Sequence, residues 1–228
     1  MPDAEFNSFI KEVFDWYVEW DPLFATSVGV HRNDSLLPKG TREAVEEETR
    51  KVRDALARLE EFDRASLSPG KRVDRGVVRN ALRLWIFQND VLRIWESRPT
   101  GAEDVGNGLF LLFMRNFAPL PNRLASITGR LERAPAFLRE TESRVRTSTR
   151  LWAEIGLESA QEPPAFLGVL EAAGKDALSS AEFGRLQEAS ARTKEALAGH
   201  ERWIRDRLLP RATDKIGIGA VKFRRLPG

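Results

Sequence analysis

The spacing of apolar residues constrains this chain more than any other feature of its sequence. Over most of its length, apolar side chains recur every three or four residues, and the strict alternation of a β-strand is almost absent. Pro and Gly residues divide the periodic stretches into segments. The pattern predicts an all-α fold, a bundle-like array of long antiparallel helices joined by short Pro- or Gly-rich turns, with little or no β-structure.

The boundaries of several helices follow from Pro, Gly and Ser. Pro69 is predicted to begin a long helix. Its inward face is predicted to carry Val73, Val77, Ala81, Leu84, Trp85, Leu92 and Trp95. Pro135 is predicted to begin another helix, with Gly156 as its C-cap.

Ser180 is predicted to cap the last long helix. The most apolar patch, "VGNGLFLLFMRNFAPLP", contains Gly106 and Gly108, which make it a poor isolated helix, so we expect it to need tertiary burial.

Length and composition are those of a globular protein. The 228 residues are 42% hydrophobic and 31% charged, and the net charge is only +2. We find no internal repeat, low-complexity linker or domain boundary, and we predict a single helical domain over residues 1–228. Basic residues are interleaved with acidic ones throughout, so no nucleic-acid partner is expected.

The chain has no Cys, which excludes disulfides, thiol nucleophiles and Cys-based zinc sites. The first residues, "MPDAEFNSFIKEVFDWYVEW", lack the basic and uninterrupted apolar regions of a signal peptide. No apolar run approaches the roughly 20 residues of a membrane span. We therefore expect a cytoplasmic location and no membrane association.

His200-Glu201 comes one residue short of a zinc motif. In H-E-x-x-H, two His on one helical face bind zinc and the Glu acts as general base. Position 204, where the second His would stand, is Ile. His200 and Ile204 both fall on the apolar stripe of the last helix, so a core or interface His is the favoured interpretation, and His200 is retained as a candidate binding residue.

A polar loop between two helices carries the other His. His31, Arg32 and Asp34 lie there, and such loops can bind or catalyse. Turn chemistry at Asn33 and Asp34 is the simpler interpretation. We treat His31, Arg32 and Asp34 as candidate binding residues.

Four phrases in order carry a family resemblance. They are "DPLFATSVGVHRNDSLLP", with a Gly-x-His-x-x-Asp turn; "FDRASLSPGKRVDRGVVRNALRLWI"; "PNRLASITGRLERAPAFLRET", with Arg-Leu-x-x-x-Pro; and "WIRDRLLPRATDKIGIGAVKF". Together they run from about Asp21 to Phe223. They resemble domain-of-unknown-function family 885, a group of helical proteins similar to zinc carboxypeptidases of the H-E-x-x-H clan.

The resemblance implies a gluzincin-like helical fold whose catalytic H-E-x-x-H helix and third zinc ligand lie in a C-terminal half. This chain ends at Gly228, before that half would begin. His200-Glu201 matches the helix before "LLPRA", so its likeness to the zinc motif is interpreted as a coincidence. No catalytic or metal-binding residue is carried over, and no cofactor is expected on this chain; zinc would come only with a catalytic C-terminal partner.

Three functional hypotheses remain open. In the first, the chain is the N-terminal, substrate-groove half of a zinc metallopeptidase-like protein and is not a complete enzyme by itself. In the second, it is a stand-alone helical binding or scaffold protein. In the third, it is an independent enzyme that uses His31, Asp34 or His200. The first two predict, as partners, a C-terminal-half chain or a homodimer formed through an apolar face. Peptides are the expected ligand class.

Overall fold

The computed structural model describes residues 2–227, and helices account for most of them. The α-helices of this part of the chain are α1 Pro2–Trp20, α2 Pro22–Ser27, α3 Arg42–Glu61, α4 Pro69–Ile86, α5 Gly101–Met114, α6 Leu120–Arg144, α7 Arg150–Gln161, α8 Pro163–Ala177, α9 Ser180–Trp203 and α10 Gly219–Phe223. Over residues 2–227 the only β-type pairing is an isolated bridge between Thr149 and Thr213. The all-α prediction is confirmed.

Shorter helical turns extend or join these helices. A π-helical turn, Phe87–Leu92, continues α4 and ends at Arg93, whose φ of 52° is left-handed. A second π-helical turn, Ile204–Leu208, continues α9. Within residues 2–227, no helix is both long enough and apolar enough to cross a membrane.

Contacts divide the chain into two compact units. The first unit contains Met1–Tyr17, Arg42–Trp95 and Ile216–Gly228, and the second contains Val18–Thr41 and Glu96–Lys215. Each unit has its own buried apolar residues. The single-domain interpretation of residues 1–228 stays a prediction.

In the first unit, α1, α3 and α4 surround an aromatic-rich core. Leu82 of α4 is buried there, and Trp85 packs against it, with its ring 4.5 Å from Tyr17 and 6.3 Å from Trp16 between centroids. The predicted inward face of α4 was right for Trp85 but wrong for Val73 and Val77, which are about two-thirds exposed. Burying an indole ring removes far more apolar area from water than burying a valine, and this sets the rotation of α4.

In the second unit, α6 lies at the centre and packs mainly against α5 and α9. Its buried side chains include Leu124, Ile127 and Leu131, which join residues of α5, α8 and α9 in one core. The Gly-containing apolar patch forms α5, and Val105, Leu109 and Leu112 are buried in this core. Tertiary burial therefore stabilises a helix of poor intrinsic propensity, as expected.

Pro135 lies inside α6 and does not begin a new helix as predicted. A mid-helix Pro has no N–H for the carbonyl four residues earlier, here that of Leu131. The hydroxyl of Thr193 on α9 donates a hydrogen bond to this Leu131 oxygen over 3.0 Å. Thr193 is fully buried, so a tertiary contact supplies the donor that α6 lacks.

Two other predicted boundaries are also corrected. Gly156 lies within α7, not at a C-cap, and a Cβ there would come within 2.6 Å of Pro99. Close packing, not turn geometry, therefore accounts for this Gly. The N-cap of α9 is Ser179, one residue before the predicted position, and it forms a reciprocal capping box with Glu182.

The contact between Thr193 and Leu131 predicts a specific loss of stability. Replacing Thr193 with Val keeps the shape of the side chain and leaves the Leu131 carbonyl buried without a donor. We expect the free energy of unfolding to fall by about 1–3 kcal/mol. Urea denaturation followed by circular dichroism measures it.

A double-mutant cycle separates this mechanism from a simple loss of packing. In a Pro135→Ala background, the residue-135 amide can donate to Leu131, so Thr193→Val should cost less there. An equal cost in both backgrounds would show that the hydroxyl does not compensate for Pro135.

Candidate functional site

The loop that follows α2 folds back onto that helix. Asp21 caps α2, since its carboxylate accepts hydrogen bonds from the backbone N–H groups of Leu23 and Phe24. Gly29 has a φ of +84°, a conformation that Gly adopts without strain, and the N–H of Val30 donates to the Ala25 carbonyl over 2.8 Å. This turn reverses the chain and directs the following loop back along α2.

Asp34 is the buried centre of this loop, with only 4% of its surface exposed. Its Oδ1 accepts a hydrogen bond from the hydroxyl of Thr26 on α2 over 2.6 Å. Its Oδ2 lies 2.9 Å from Nδ1 of His31. The structure therefore brings together two of the candidate residues, His31 and Asp34.

The His31 ring is held from a second direction. It stacks on Phe117, with ring centroids 3.6 Å apart and planes within 4° of parallel. Phe117 follows α5, and Arg115, at the end of α5, donates to the Ser27 carbonyl over 2.7 Å. This hydrogen bond joins the end of α5 to the end of α2, and so holds Phe117 in position against the His31 ring. The His31 side chain remains 29% exposed, so a fixed imidazole reaches solvent.

Arg32 does not join this cluster. Its Nε lies 2.6 Å from Glu19, and both side chains are about half exposed. Asn33 also donates to Glu19, over 2.7 Å. An exposed ion pair of this kind contributes about 0–1 kcal/mol, so Arg32 belongs to a solvated surface.

Sequence reasoning missed Arg130, which lies beneath the loop. The side chain is almost fully buried, and each of its three guanidinium nitrogens donates a hydrogen bond. It donates to the hydroxyl of Thr26 over 2.6 Å and to the carbonyls of Gly108, Leu36 and Pro22 over 2.7, 3.1 and 3.2 Å. One cation therefore joins α2, the loop, α5 and α6.

The electrostatics of Arg130 follow from its position. Burial lowers its pKa to about 10, while the nearby carboxylates of Asp34 and Asp21 act in the opposite direction. Arg130 is still a cation at neutral pH. In the sequence, helical spacing places Arg130 on the buried stripe of α6, three residues after Ile127 and four before Ala134. Arg133 lies on the exposed side of the same helix.

Gly108 allows the contact with Arg130. A Cβ at this position would lie 2.6 Å from Leu23 Cδ2 and 3.1 Å from Arg130 Nη1. Any other residue would separate α5 from both groups. From the sequence, Gly108 is simply a residue of low helix propensity within α5. The fold shows that its missing side chain makes room for Leu23 and for the Arg130 guanidinium.

His200 is a core residue in a different place. It is 1% exposed, and its Nδ1 lies 2.8 Å from Glu142 Oε1. Its ring stacks on Trp203, and within residues 2–227 its Nε2 has no hydrogen-bond partner. The adjacent Glu201 accepts from Gln161 over 2.8 Å and pairs with Arg205 instead.

The described residues do not fit a zinc site. In residues 2–227 no three His, Cys, Asp or Glu side chains are placed so that they could hold a metal ion. A catalytic zinc takes about three protein ligands. His200 and Glu201 thus have separate partners and do not converge on one position.

Asp104, in the first turn of α5, is a half-buried carboxyl that the sequence did not indicate. Burial raises its pKa to about 6, and the hydrogen bond from the Thr100 hydroxyl, 3.0 Å long, opposes this rise only in part. Glu103 and Asp21 raise it further, whereas Arg144 lowers it. Compared with the unfolded chain, the folded chain therefore binds the Asp104 proton more tightly.

Fold and site together define an all-α protein in which a buried Arg fixes a His-bearing loop. A match to the family described as "Bacterial protein of unknown function (DUF885)" covers residues 22–226. The chain belongs to this family. Two of the phrases that carried the resemblance, those containing His31 and Arg130, contact each other through Thr26.

A solved structure supports the fold. A protein from Shewanella oneidensis, described as a candidate lipoprotein of unknown function, is 23% identical, with a TM-score of 0.81. The match covers 88% of this chain and 37% of the other, so the chain spans well under half of that structure. No curated protein matches the chain. The cytoplasmic location and the similarity to metallopeptidases stay predictions.

The network around Arg130 predicts a large effect of its removal. Arg130→Met keeps the apolar stem but leaves three carbonyls and the Thr26 hydroxyl without their donor. We expect a loss of about 3–5 kcal/mol in the free energy of unfolding, measured by urea denaturation. Arg133→Met, at an exposed position of the same helix, is the control and should change it by less than about 0.5 kcal/mol. Equal effects of the two substitutions would contradict the network.

Asp104 predicts a pH dependence of stability. Its pKa is raised on folding from an ordinary 3.8 to about 6, so its contribution is fully present below about pH 4 and is lost as the pH rises through 6. Asp104→Asn should therefore be more stable than the parent by roughly 1–3 kcal/mol at neutral pH, and the difference should shrink toward pH 4. Thermal unfolding of both proteins across this range measures it, with Glu195→Gln, at an exposed position of α9, as the control. A constant difference would exclude titration of Asp104.

Proposed function

We propose that this chain is the non-catalytic, ligand-contacting portion of a zinc metallopeptidase-like protein, and that His31 is its principal contact with a peptide ligand. One observation carries the proposal: the imidazole of His31 is fixed by Asp34 and by Phe117, and it is still partly exposed to solvent. Residues that are held in place before binding lose little conformational entropy on binding.

The chemistry of His31 follows from its partners. A carboxylate at Nδ1 favours the tautomer with the proton on Nδ1, which leaves Nε2 as an acceptor in the neutral ring and a donor in the protonated ring. Nε2 makes no hydrogen bond to any residue from 2 to 227. It is available to an amide N–H or, once protonated, to a carboxylate. Both groups occur at the carboxyl end of a peptide.

The proposal assigns binding, not hydrolysis, to this chain. Its residues do not converge on a metal site over the part of the chain that the structure describes. The fold matches 37% of a longer solved protein, which supports a role as one portion of a larger assembly. The metallopeptidase character of that assembly rests on the family resemblance.

A second candidate function is a stand-alone helical binding or scaffold protein. The exposed apolar side chains of residues 216–226 favour it, because such side chains commonly mark protein contacts. It requires neither a peptide ligand at His31 nor a catalytic partner.

Titration of the purified chain with short peptides tests the proposal. The panel contains peptides with free carboxyl termini and the same peptides with amidated termini, and calorimetry measures the dissociation constants. We expect free-carboxyl peptides to bind more tightly than the amidated ones, because only they offer a carboxylate to the His31 imidazole. His31→Ala should weaken this binding by at least about tenfold, equal to the loss of one charge-assisted hydrogen bond.

Lys39→Ala is the matched control, because Lys39 is an exposed cation of the same loop. It should leave the dissociation constant unchanged. Absence of peptide binding, or equal binding by His31→Ala, would refute the role of His31 and leave the scaffold candidate. Stoichiometric zinc together with peptide hydrolysis that His200→Ala abolishes would refute the non-catalytic assignment.

A further inference from the structure

A groove on the second unit combines an apolar floor with an acidic rim. We define the α5–α8 groove by Glu103, Asn107, Phe110, Glu162, Pro163 and Phe166. Phe110 is 48% exposed, and its ring centroid lies 5.9 Å from that of Phe166. Phe166 is half-buried against the core of the second unit, whereas Phe110 is open to solvent. A large apolar side chain exposed to this extent beside a groove is typical of a binding surface.

The acidic residues of the groove have no partner of opposite charge. Glu103 and Glu162 are both exposed, and neither forms an ion pair with any residue between 2 and 227. Elsewhere on this chain, carboxylates are commonly paired with Arg or Lys, as Glu60 is with Arg75 and Arg79. The groove therefore suits a ligand that is both apolar and basic.

The chain itself carries a segment that is both apolar and basic. We define the C-terminal segment as residues 216–226, "IGIGAVKFRRL", which contains no acidic residue. Its three basic residues are exposed. Its exposed apolar side chains are Ile216 62%, Ile218 43%, Val221 75%, Phe223 64% and Leu226 48%.

We propose that the C-terminal segment of one copy binds the α5–α8 groove of a second copy, with Val221 and Phe223 on the Phe110–Phe166 floor and the basic residues beside Glu103 and Glu162. Apolar contact supplies most of the affinity, and the opposite charges set the orientation. Each copy has one groove and one segment, so the contact is heterologous. Two reciprocal contacts close a dimer.

Sedimentation velocity over a range of concentrations tests the association. The parent chain should shift from monomer to dimer, and added salt should weaken the dimer because the charged rim is exposed. Phe110→Ser in the groove, or Val221→Asp with Phe223→Asp in the segment, should each lower the association constant by at least about tenfold. Met114→Ser is the matched control, since Met114 is 60% exposed one turn further along α5 and lies outside the groove.

Mixing the two kinds of variant gives a sharper test. A groove variant still has an intact segment, and a segment variant still has an intact groove, so the mixture should form one contact and yield a heterodimer. Neither variant should dimerise alone. A mixture that stays monomeric, although the parent dimerises, would overturn the proposal.

A peptide assay isolates the contact. A fluorescent peptide of residues 213–227 should bind the segment variant, whose own segment does not compete, and should not bind the same variant with Phe110→Ser added. A scrambled peptide of the same composition should bind at least about tenfold more weakly. Equal binding of both peptides, or a parent chain that is monomeric and does not bind the peptide, would refute the proposal. None of these outcomes depends on His31, so they are separate from the test of peptide-ligand binding.

Discussion

The second unit is organised around one buried cation, Arg130. A charge can remain in an apolar interior only if its hydrogen-bonding groups are paired, and here four oxygens on α2, α5 and the loop supply the partners. Each of these elements must take its position for the cation to be satisfied. The requirement couples α2, α5 and α6, and it leaves the loop after α2 little freedom.

The His31 site is a consequence of this coupling. Thr26 accepts a hydrogen bond from Arg130 and donates one to Asp34, so the cation fixes the carboxylate that in turn orients the imidazole. Gly108 contributes by having no side chain, which lets α5 approach both α2 and the guanidinium. Rigid support beneath an exposed His is what a binding residue needs, since ordering it at the moment of binding would reduce affinity.

Sequence patterns failed where packing or a long-range contact overrode a local signal. Val73, Val77 and Trp85 of α4 were all predicted to face inward, but the packing of Trp85 on Trp16 and Tyr17 leaves both valines exposed. Pro135 is an ordinary signal for the start of a helix, but Thr193, far away in sequence, supplies the hydrogen bond that lets α6 continue through it. His31 and Asp34 could be predicted as candidates because they share one short loop, whereas Thr26 and Arg130 are 104 residues apart.

Apolar periodicity and Pro, Gly and Ser signals predicted the all-α class and most of the helices, because these signals act over a few residues. The family was indicated separately, by the resemblance of four phrases. Local patterns also placed His200 on an apolar face and His31 and Asp34 in a polar loop. Long-range packing was needed to establish which face of α4 is buried, that α6 is continuous, and that Arg130 is buried under the loop that carries His31. These outcomes depend on hydrogen bonds and packing between segments that are distant in the sequence. A local pattern does not specify which distant oxygen or ring a side chain will contact.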